Sequence, residues 1–121
     1  MKQYNRVCAR INLDAIAYNM EQMKNRIGQE GRLIAVIKTD AYGHGAVPLA
    51  EMFEETPYIW GYAVACMGEA RTLRAHGIKK PILILGCVFP DEYEEMVEKE
   101  IRAAVYTCLL YTSDAADDMQ C

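Results

Sequence analysis

Short apolar runs recur along this chain, and a segment with helical spacing of its apolar residues separates each run from the next. The runs begin at Ile34, Ile59, Ile82 and Ile101, about twenty to twenty-six residues apart. Such alternation predicts an α/β fold in which right-handed crossovers join parallel strands. Periodicity does not distinguish a closed barrel from an open doubly wound sheet. A dinucleotide-binding fold is weakened because no Gly-x-Gly-x-x-Gly follows a predicted strand.

Turn and capping residues set the boundaries of the predicted elements. Asn12 is placed to cap the first helix and Gly28 to end it. Pro48 suits the first turn of a second helix, and Gly77 stops the third. We predict strands at 7–11, 32–37, 59–66, 82–85 and 101–106, and helices at 13–27, 48–55, 68–75 and from 91 onwards.

A single lysine, Lys38, follows the apolar run at 32–37 and precedes a turn-rich segment. The run itself is typical of a buried parallel strand. A lysine at such a place is costly unless its charge is paired or its amine is used, and a desolvated amine is a nucleophile suited to carbonyl chemistry. The alternative is a lysine that marks the strand end and extends its amine to water.

The residues after Lys38 favour chemistry. Residues 38–45, Lys-Thr-Asp-Ala-Tyr-Gly-His-Gly, closely resemble the cofactor-lysine signature of alanine racemases: lysine, a small residue, Asn or Asp, then Ala-Tyr-Gly-His-Gly. Thr39 departs from the alanine that is usual there. Residues 10–16, Arg-Ile-Asn-Leu-Asp-Ala-Ile, also resemble the first strand and helix of that family.

The resemblance implies a cofactor site. It implies that Lys38 is the catalytic residue that binds pyridoxal 5′-phosphate covalently, and that Tyr42 contacts the cofactor phosphate. Leu85, at the end of the third predicted parallel strand, is expected either to line the cofactor ring or to pack in a barrel core. Asp40 and His44 are interpreted as loop residues that make hydrogen bonds, not as bases.

The fold implied by the resemblance is a (β/α)8 TIM-type barrel, that of fold-type III pyridoxal-phosphate enzymes, with the active site at the carboxyl ends of the strands. The resemblance covers residues 5–106, which we expect to be the N-terminal part of the barrel domain, with about four of its strands. Residues 107–121 do not continue the alternation, and we interpret them as a tail that is not native to the gene.

The function implied is interconversion of L-alanine and D-alanine, which supplies D-alanine for the bacterial cell wall. The full-length protein is expected to be a homodimer in which a tyrosine of the partner's second domain is the opposing base. That tyrosine is not in this chain, so we expect the 121 residues alone to be inactive. The alternatives are another fold-type III protein, such as a serine or broad-specificity racemase, a decarboxylase or a pyridoxal-phosphate homeostasis protein, and a non-catalytic fragment.

Composition bears on partners and location. The net charge of −4 comes without a basic stripe, so we expect no nucleic-acid partner. No run approaches the roughly 18 apolar residues of a membrane span, and a signal-peptide core is missing near the start, so we expect no membrane partner and a cytoplasmic protein. The five cysteines are scattered without a Cys-x-x-Cys pair, which predicts buried thiols and no metal site. Glu69 and Arg71 are interpreted as ordinary helix surface.

Overall fold

A parallel sheet of four strands forms the centre of the protein, for which a computed structural model describes residues 6–106. The strands lie side by side in the order in which they occur in the chain, and each pair of neighbours is parallel. They are β1 (Leu33–Val36), β2 (Ile59–Val64), β3 (Ile82–Ile84) and β4 (Ile101–Ala103). The predicted α/β fold with parallel strands is confirmed. The proposed tail at 107–121 lies outside the described residues.

Helical segments connect the strands. They are α1 (Leu13–Ile27), the single turn α2 (Lys38–Tyr42), α3 (Ala46–Glu54), α4 (Met67–Ala75) and α5 (Tyr93–Glu98), the last preceded by a 3-10 turn at Pro90–Glu92. Within residues 6–106, none of these helices combines the length and the apolar character that crossing a bilayer requires.

The predicted boundaries of α1 are confirmed. The side-chain oxygen Oδ1 of Asn12 accepts a hydrogen bond from the Ala15 N–H at 3.0 Å, which satisfies one of the free donors at the helix start. Gly28 ends the helix with a φ of +85°, a value that glycine adopts without strain. The helix is amphipathic but has no fully buried residue, and an apolar cavity of about 360 Å³ lies between Met20 and Met23 of α1 and Phe53 of α3.

The strand predicted at 7–11 is wrong. Residues 6 and 7 form a bend, and residues 8–12 have no regular structure. Val7 is 89% exposed. A strand needs a neighbour to complete its hydrogen bonds, and no strand of the described region pairs with this segment. The apolar, β-branched composition was therefore not enough to make it a strand.

The prediction of buried thiols is also wrong for the cysteines that the structure describes. Cys8, Cys66 and Cys87 are all exposed and free. Cys66 and Cys87 directly follow the residues that leave β2 and β3, where side chains are no longer sandwiched between sheet and helices. Cys108 and Cys121 lie outside the described residues.

The helices cover one face of the sheet, and the core lies between them and that face. Buried and exposed side chains alternate along β1, whereas β2, which has a neighbour on each side, is buried at four consecutive positions. The core side chains of strands and helices with 2% exposure or less include Ile37, Ala50, Phe53, Tyr62, Val64, Met67, Ala70, Leu73, Ile82 and Ile84. On the opposite face of β1, Ile34 is 43% exposed and Val36 53% exposed. The sheet therefore has one helix-covered face and one helix-free face that is apolar in β1.

The C-terminal end of α3, which lies away from Lys38, is held by contacts with Tyr62 and Lys80. The buried Tyr62 hydroxyl lies 2.8 Å from the Ala50 carbonyl and 3.0 Å from the Glu54 carboxylate, two acceptors that share its single proton. Burial, followed by the hydrogen bond to Glu54, raises the pKa of Tyr62. Lys80 donates to the carbonyls of Phe53 and Thr56 at 2.6 Å each, which adds a charged donor to the carbonyls that close the end of α3. This anchoring fixes α3, whose other end begins just after the predicted cofactor site.

Candidate active site

Lys38 lies at the carboxyl end of β1, as the sequence predicts. The Ile37 N–H donates to the Ala63 carbonyl of β2 at 2.9 Å, so the sheet ladder continues to the residue before the lysine. Ile37 is buried against the helices, and Lys38 is partly buried. Ile34 and Val36 lie on the helix-free face, and the backbone leaves the extended conformation at Ile37, with φ −120° and ψ 23°, so Lys38 stands where the strand gives way to the turn. Among the described residues, no hydrogen bond or ion pair engages the Lys38 amine.

The turn that begins at Lys38 is left-handed. Four consecutive residues that are not glycine have positive φ angles: Thr39 at 54°, Asp40 at 51°, Ala41 at 52° and Tyr42 at 55°. Left-handed helical backbone costs L-residues about 1–2 kcal/mol each, so the turn stores roughly 4–8 kcal/mol. Strain of this size persists only where surrounding contacts impose it, and such positions concentrate at functional sites.

Asp40 holds the turn together, as expected of a loop residue that makes hydrogen bonds. Its carboxylate oxygen Oδ1 accepts a hydrogen bond from the Ala46 N–H at 2.8 Å, which caps the first residue of α3. Its backbone carbonyl accepts from the N–H groups of Gly43 at 3.2 Å and Gly45 at 3.0 Å. Gly45 has a φ of +91° and a ψ of 106°, an arrangement that a β-carbon would strain. Asp40 thus joins the strained turn to the start of α3.

His44 also makes a hydrogen bond within the loop, as predicted. Its ring nitrogen Nδ1 lies 2.9 Å from the Ala41 carbonyl. Its backbone N–H donates to the same carbonyl at 3.2 Å. Both contacts are made within the turn, so His44 stabilises the conformation of the loop.

Glu69 has a structural role that the sequence analysis missed. It lies in the first turn of α4, and its carboxylate oxygen Oε2 accepts a hydrogen bond from the Thr39 N–H at 2.6 Å. The other oxygen, Oε1, accepts from the Ala65 N–H at 2.9 Å. The interpretation of Glu69 as ordinary helix surface is therefore wrong: it links the ends of β1 and β2 beside Lys38. Glu69 is the third residue of α4, a position from which a glutamate reaches back to free N–H groups, but the helix predicted at 68–75 starts one residue late and makes Glu69 its second residue.

Arg71 lies on the exposed surface of α4, as interpreted, and forms an ion pair there. Its guanidinium donates to both oxygens of Glu95 in α5, at 2.6 and 2.8 Å, with the planar fork geometry that suits a carboxylate. The hydrogen bond from Arg71 holds the pKa of Glu95 below its usual range. The pair ties α4 to α5 away from Lys38.

Leu85 lies at the carboxyl end of β3, the same edge of the sheet as Lys38. Its N–H donates to the Val64 carbonyl at 2.8 Å, and its carbonyl accepts from the Tyr106 hydroxyl at 2.6 Å. Its side chain is 39% exposed, on the strand face opposite to the buried Ile84. The neighbouring Gly86 allows the β3 end to approach β2, because a β-carbon there would collide with the Ala65 carbonyl.

The structure brings the three predicted site residues to one edge of the sheet. Lys38 and Tyr42 begin and end the left-handed turn, and Leu85 projects two strands away. The Tyr42 side chain is 69% exposed. A primary amine, a phenol and an apolar surface at the carboxyl ends of parallel strands are the position and chemistry of a small-molecule site. No cluster of three or more possible metal-ligating side chains occurs within residues 6–106.

Comparison with known proteins places this arrangement in context. The family described as "Alanine racemase, N-terminal domain" matches residues 11–112. The alanine racemase of Desulforamulus reducens is 38% identical over 100 residues, and that of Symbiobacterium thermophilum is 42% identical over 98 residues. These alignments cover 83% and 81% of this chain but only 27% and 26% of the two relatives. The chain thus spans about a quarter of the length of the curated relatives it matches.

A solved structure shares the fold. The alanine racemase of Clostridium difficile 630, in a complex with cycloserine, superposes with a TM-score of 0.81 at 36% identity, over 86% of this chain and 28% of that chain. The four βα units therefore have the arrangement of the N-terminal part of that enzyme's barrel, and the predicted partial TIM-type barrel is confirmed.

Removing the Asp40 carboxylate should loosen the turn. Asp40→Ala should lower the free energy of unfolding by about 0.5–2 kcal/mol, as expected for loss of a side chain that caps a helix start. Asp40→Asn keeps the acceptor oxygen and should stay close to the parent. The variants are made in a full-length chimera in which residues 6–106 replace the corresponding segment of the Clostridium difficile 630 enzyme. Their free energies of unfolding are measured by circular dichroism in urea. Equal losses in both variants would contradict this role of Oδ1.

Proposed function

This chain belongs to the alanine racemase family, and we propose that it contributes the N-terminal, lysine-bearing part of a pyridoxal-phosphate-dependent racemase that interconverts L-alanine and D-alanine. The observation that carries the proposal is Lys38 itself: an amine at the carboxyl end of β1, at the head of a strained turn, within the motif Lys-Thr-Asp-Ala-Tyr-Gly-His-Gly. Residues 5–106 are proposed as the N-terminal part of the barrel domain.

The chemistry of the side chains fits pyridoxal 5′-phosphate. An aldehyde cofactor requires a primary amine, and the Lys38 amine has no competing partner among the described residues. A phosphate requires hydrogen-bond donors, and Tyr42, four residues after Lys38 in the chain, is exposed and carries a hydroxyl. An aromatic ring requires apolar surface, which Val36 and Leu85 offer with 53% and 39% exposure. When bound, the cofactor serves as an electron sink that makes the Cα proton of an amino acid acidic.

Each residue then has a defined task. Lys38 attaches the cofactor and, when its amine is released, holds or delivers a proton at Nζ on one side of the substrate. The Tyr42 hydroxyl donates to the phosphate and holds the cofactor in register with the turn. Leu85 and Val36 exclude water from one side of the site, which strengthens the electrostatic interactions within it.

Racemisation also needs a proton-transferring group on the opposite side of the substrate. We propose that this group is a tyrosine of the partner subunit in a homodimer, as the family resemblance implies, so the active site is completed by regions that the described residues do not include. The fold-type III alternatives also place a lysine at the end of the first barrel strand. The alanine racemase assignment is favoured because the curated relatives at 38% and 42% identity carry that name.

Lys38 should be the residue that is trapped when the chimera is reduced with borohydride in the presence of pyridoxal phosphate. Mass mapping of the adduct gives the position, and an adduct on Lys79 or Lys80 instead would refute the assignment. Lys38→Arg should abolish both the adduct and turnover, because a guanidinium keeps the charge but stays protonated at neutral pH. Lys79→Arg, a change at an exposed lysine, is the matched control and should retain both.

Tyr42→Phe should weaken cofactor retention more than it alters the fold. A lost hydrogen bond to a charged group is worth roughly 1.5–3 kcal/mol, or about one to two decades in affinity. Equilibrium dialysis of pyridoxal phosphate measures the dissociation constant, with Tyr18→Phe as the control at another exposed tyrosine. An unchanged dissociation constant in Tyr42→Phe would count against a phosphate contact.

The 121-residue chain alone should be inactive. A single proton-transferring residue can exchange the Cα proton but cannot efficiently deliver it to the opposite side, and β1 and β4 are open edges of the described sheet. The test is conversion of L-alanine to D-alanine with added pyridoxal phosphate, measured beside the chimera. Turnover comparable to that of the chimera would show that the opposing group lies within this chain.

A further inference from the structure

We propose that Glu69 is a positioning residue for the reaction: its carboxylate fixes the backbone on the carboxyl side of Lys38 and so sets the direction in which the Lys38 amine points. This inference rests on the proposed function. The inference adds a residue from a different βα unit, since Glu69 lies thirty residues along the chain from Thr39, whose N–H it binds.

The contact is made where the backbone changes course. β1 is extended through Val36, and the left-handed region begins at Thr39. The Thr39 N–H belongs to the peptide group that Lys38 shares with its successor. By accepting that N–H at 2.6 Å, Glu69 holds the first peptide of the strained turn. A shift of this peptide would rotate the Lys38 side chain about its own backbone.

Both oxygens of the carboxylate are used. Oε1 accepts the Ala65 N–H at 2.9 Å, directly after β2, while Oε2 serves Thr39. A carboxylate offers two acceptors, whereas an amide of the same shape offers one acceptor and one donor. Glutamine at this position would keep the size of the side chain but could satisfy only one of the two N–H groups.

Glu69 is itself held firmly. Its helix, α4, presses Met67, Ala70 and Leu73 into the core, each with 1% exposure or less. The carboxylate is partly buried, and it lines a cavity of about 190 Å³ together with Asp40, the other carboxylate that holds the turn. The turn is therefore joined to two helices: the Asp40 carboxylate binds the first residue of α3, and the Glu69 carboxylate of α4 binds the Thr39 N–H.

The test compares Glu69→Gln with its matched control, Glu94→Gln, in the chimera, and adduct formation is started by adding pyridoxal phosphate to the cofactor-free protein. Glu94 occupies the first turn of α5, is exposed, and makes no side-chain hydrogen bond with another described residue. Three quantities are measured: amide exchange of the peptide that contains Thr39, the rate of Lys38 adduct formation, and kcat and KM for alanine. Amide exchange is measured without cofactor as well.

Glu69→Gln should speed exchange at Thr39 and slow adduct formation by about 10- to 100-fold, the factor expected when a hydrogen bond to a charged group is lost. We expect kcat to fall by a similar factor while KM changes little, because the amine is misdirected and the substrate's other contacts remain. Glu94→Gln should match the parent in all three. Glu69→Asp, which keeps the charge but is too short to reach both N–H groups, should resemble Glu69→Gln.

Two results would overturn the proposal: exchange at Thr39 that is unchanged in Glu69→Gln, or faster exchange with an adduct rate equal to the parent's. The second result would leave Glu69 as a structural contact only. Failure of the proposed function looks different, since the unsubstituted chimera would then unfold cooperatively on heating yet form no adduct at Lys38.

Discussion

The parallel pairing of β1 with β2 is the constraint on which the rest of the site depends. The ladder runs from Leu33 opposite Ile59 to Val36 opposite Ala63, and it ends with the Ile37 N–H on the Ala63 carbonyl. Because both strands end at the same edge, the residues that leave them emerge side by side. Thr39 and Ala65 thereby come close enough for one carboxylate to bind both N–H groups, and Lys38 is held at the rim of the sheet.

The strained turn is stabilised by partners within it and outside it. Backbone hydrogen bonds from Gly43 and Gly45 to the Asp40 carbonyl close the turn itself, and the Asp40 and Glu69 carboxylates join it to α3 and α4. A right-handed turn at the same place would direct Tyr42 and the glycines along a different path. Residues 38–45 therefore supply a reactive amine and also adopt a left-handed backbone that α3 and α4 stabilise through hydrogen bonds.

Much of the fold could be predicted from local sequence signals, since the apolar runs, Asn12, Gly28 and Gly77 act within a few residues of where they stand. Lys38 was found because it interrupts an apolar run, and its motif raised it above a lysine that merely ends a strand. Glu69 was missed because its partner Thr39 is thirty residues away, and only strand order brings the two together. The handedness of the turn was also missed, since Thr, Asp, Ala and Tyr carry no common preference for positive φ. The strand at 7–11 failed for the opposite reason: its local composition favoured a strand, but none of the strands within residues 6–106 pairs with it.

The helix-free face of the sheet couples the site to the rest of the barrel. Ile34 and Val36 are 43% and 53% exposed there, although their β-branched side chains are suited to a core, and Lys38 follows them at the carboxyl end of the strand. The chain spans about a quarter of the length of the curated relatives, and closing a sheet into a barrel turns one face inward. In the full-length protein that we propose, closure would take from water the same apolar surface that we propose as one wall of the cofactor site. Substitutions at Val36 are therefore expected to change both barrel stability and cofactor affinity, whereas substitutions at Ile37, which is buried on the helix-covered face, are expected to change stability alone.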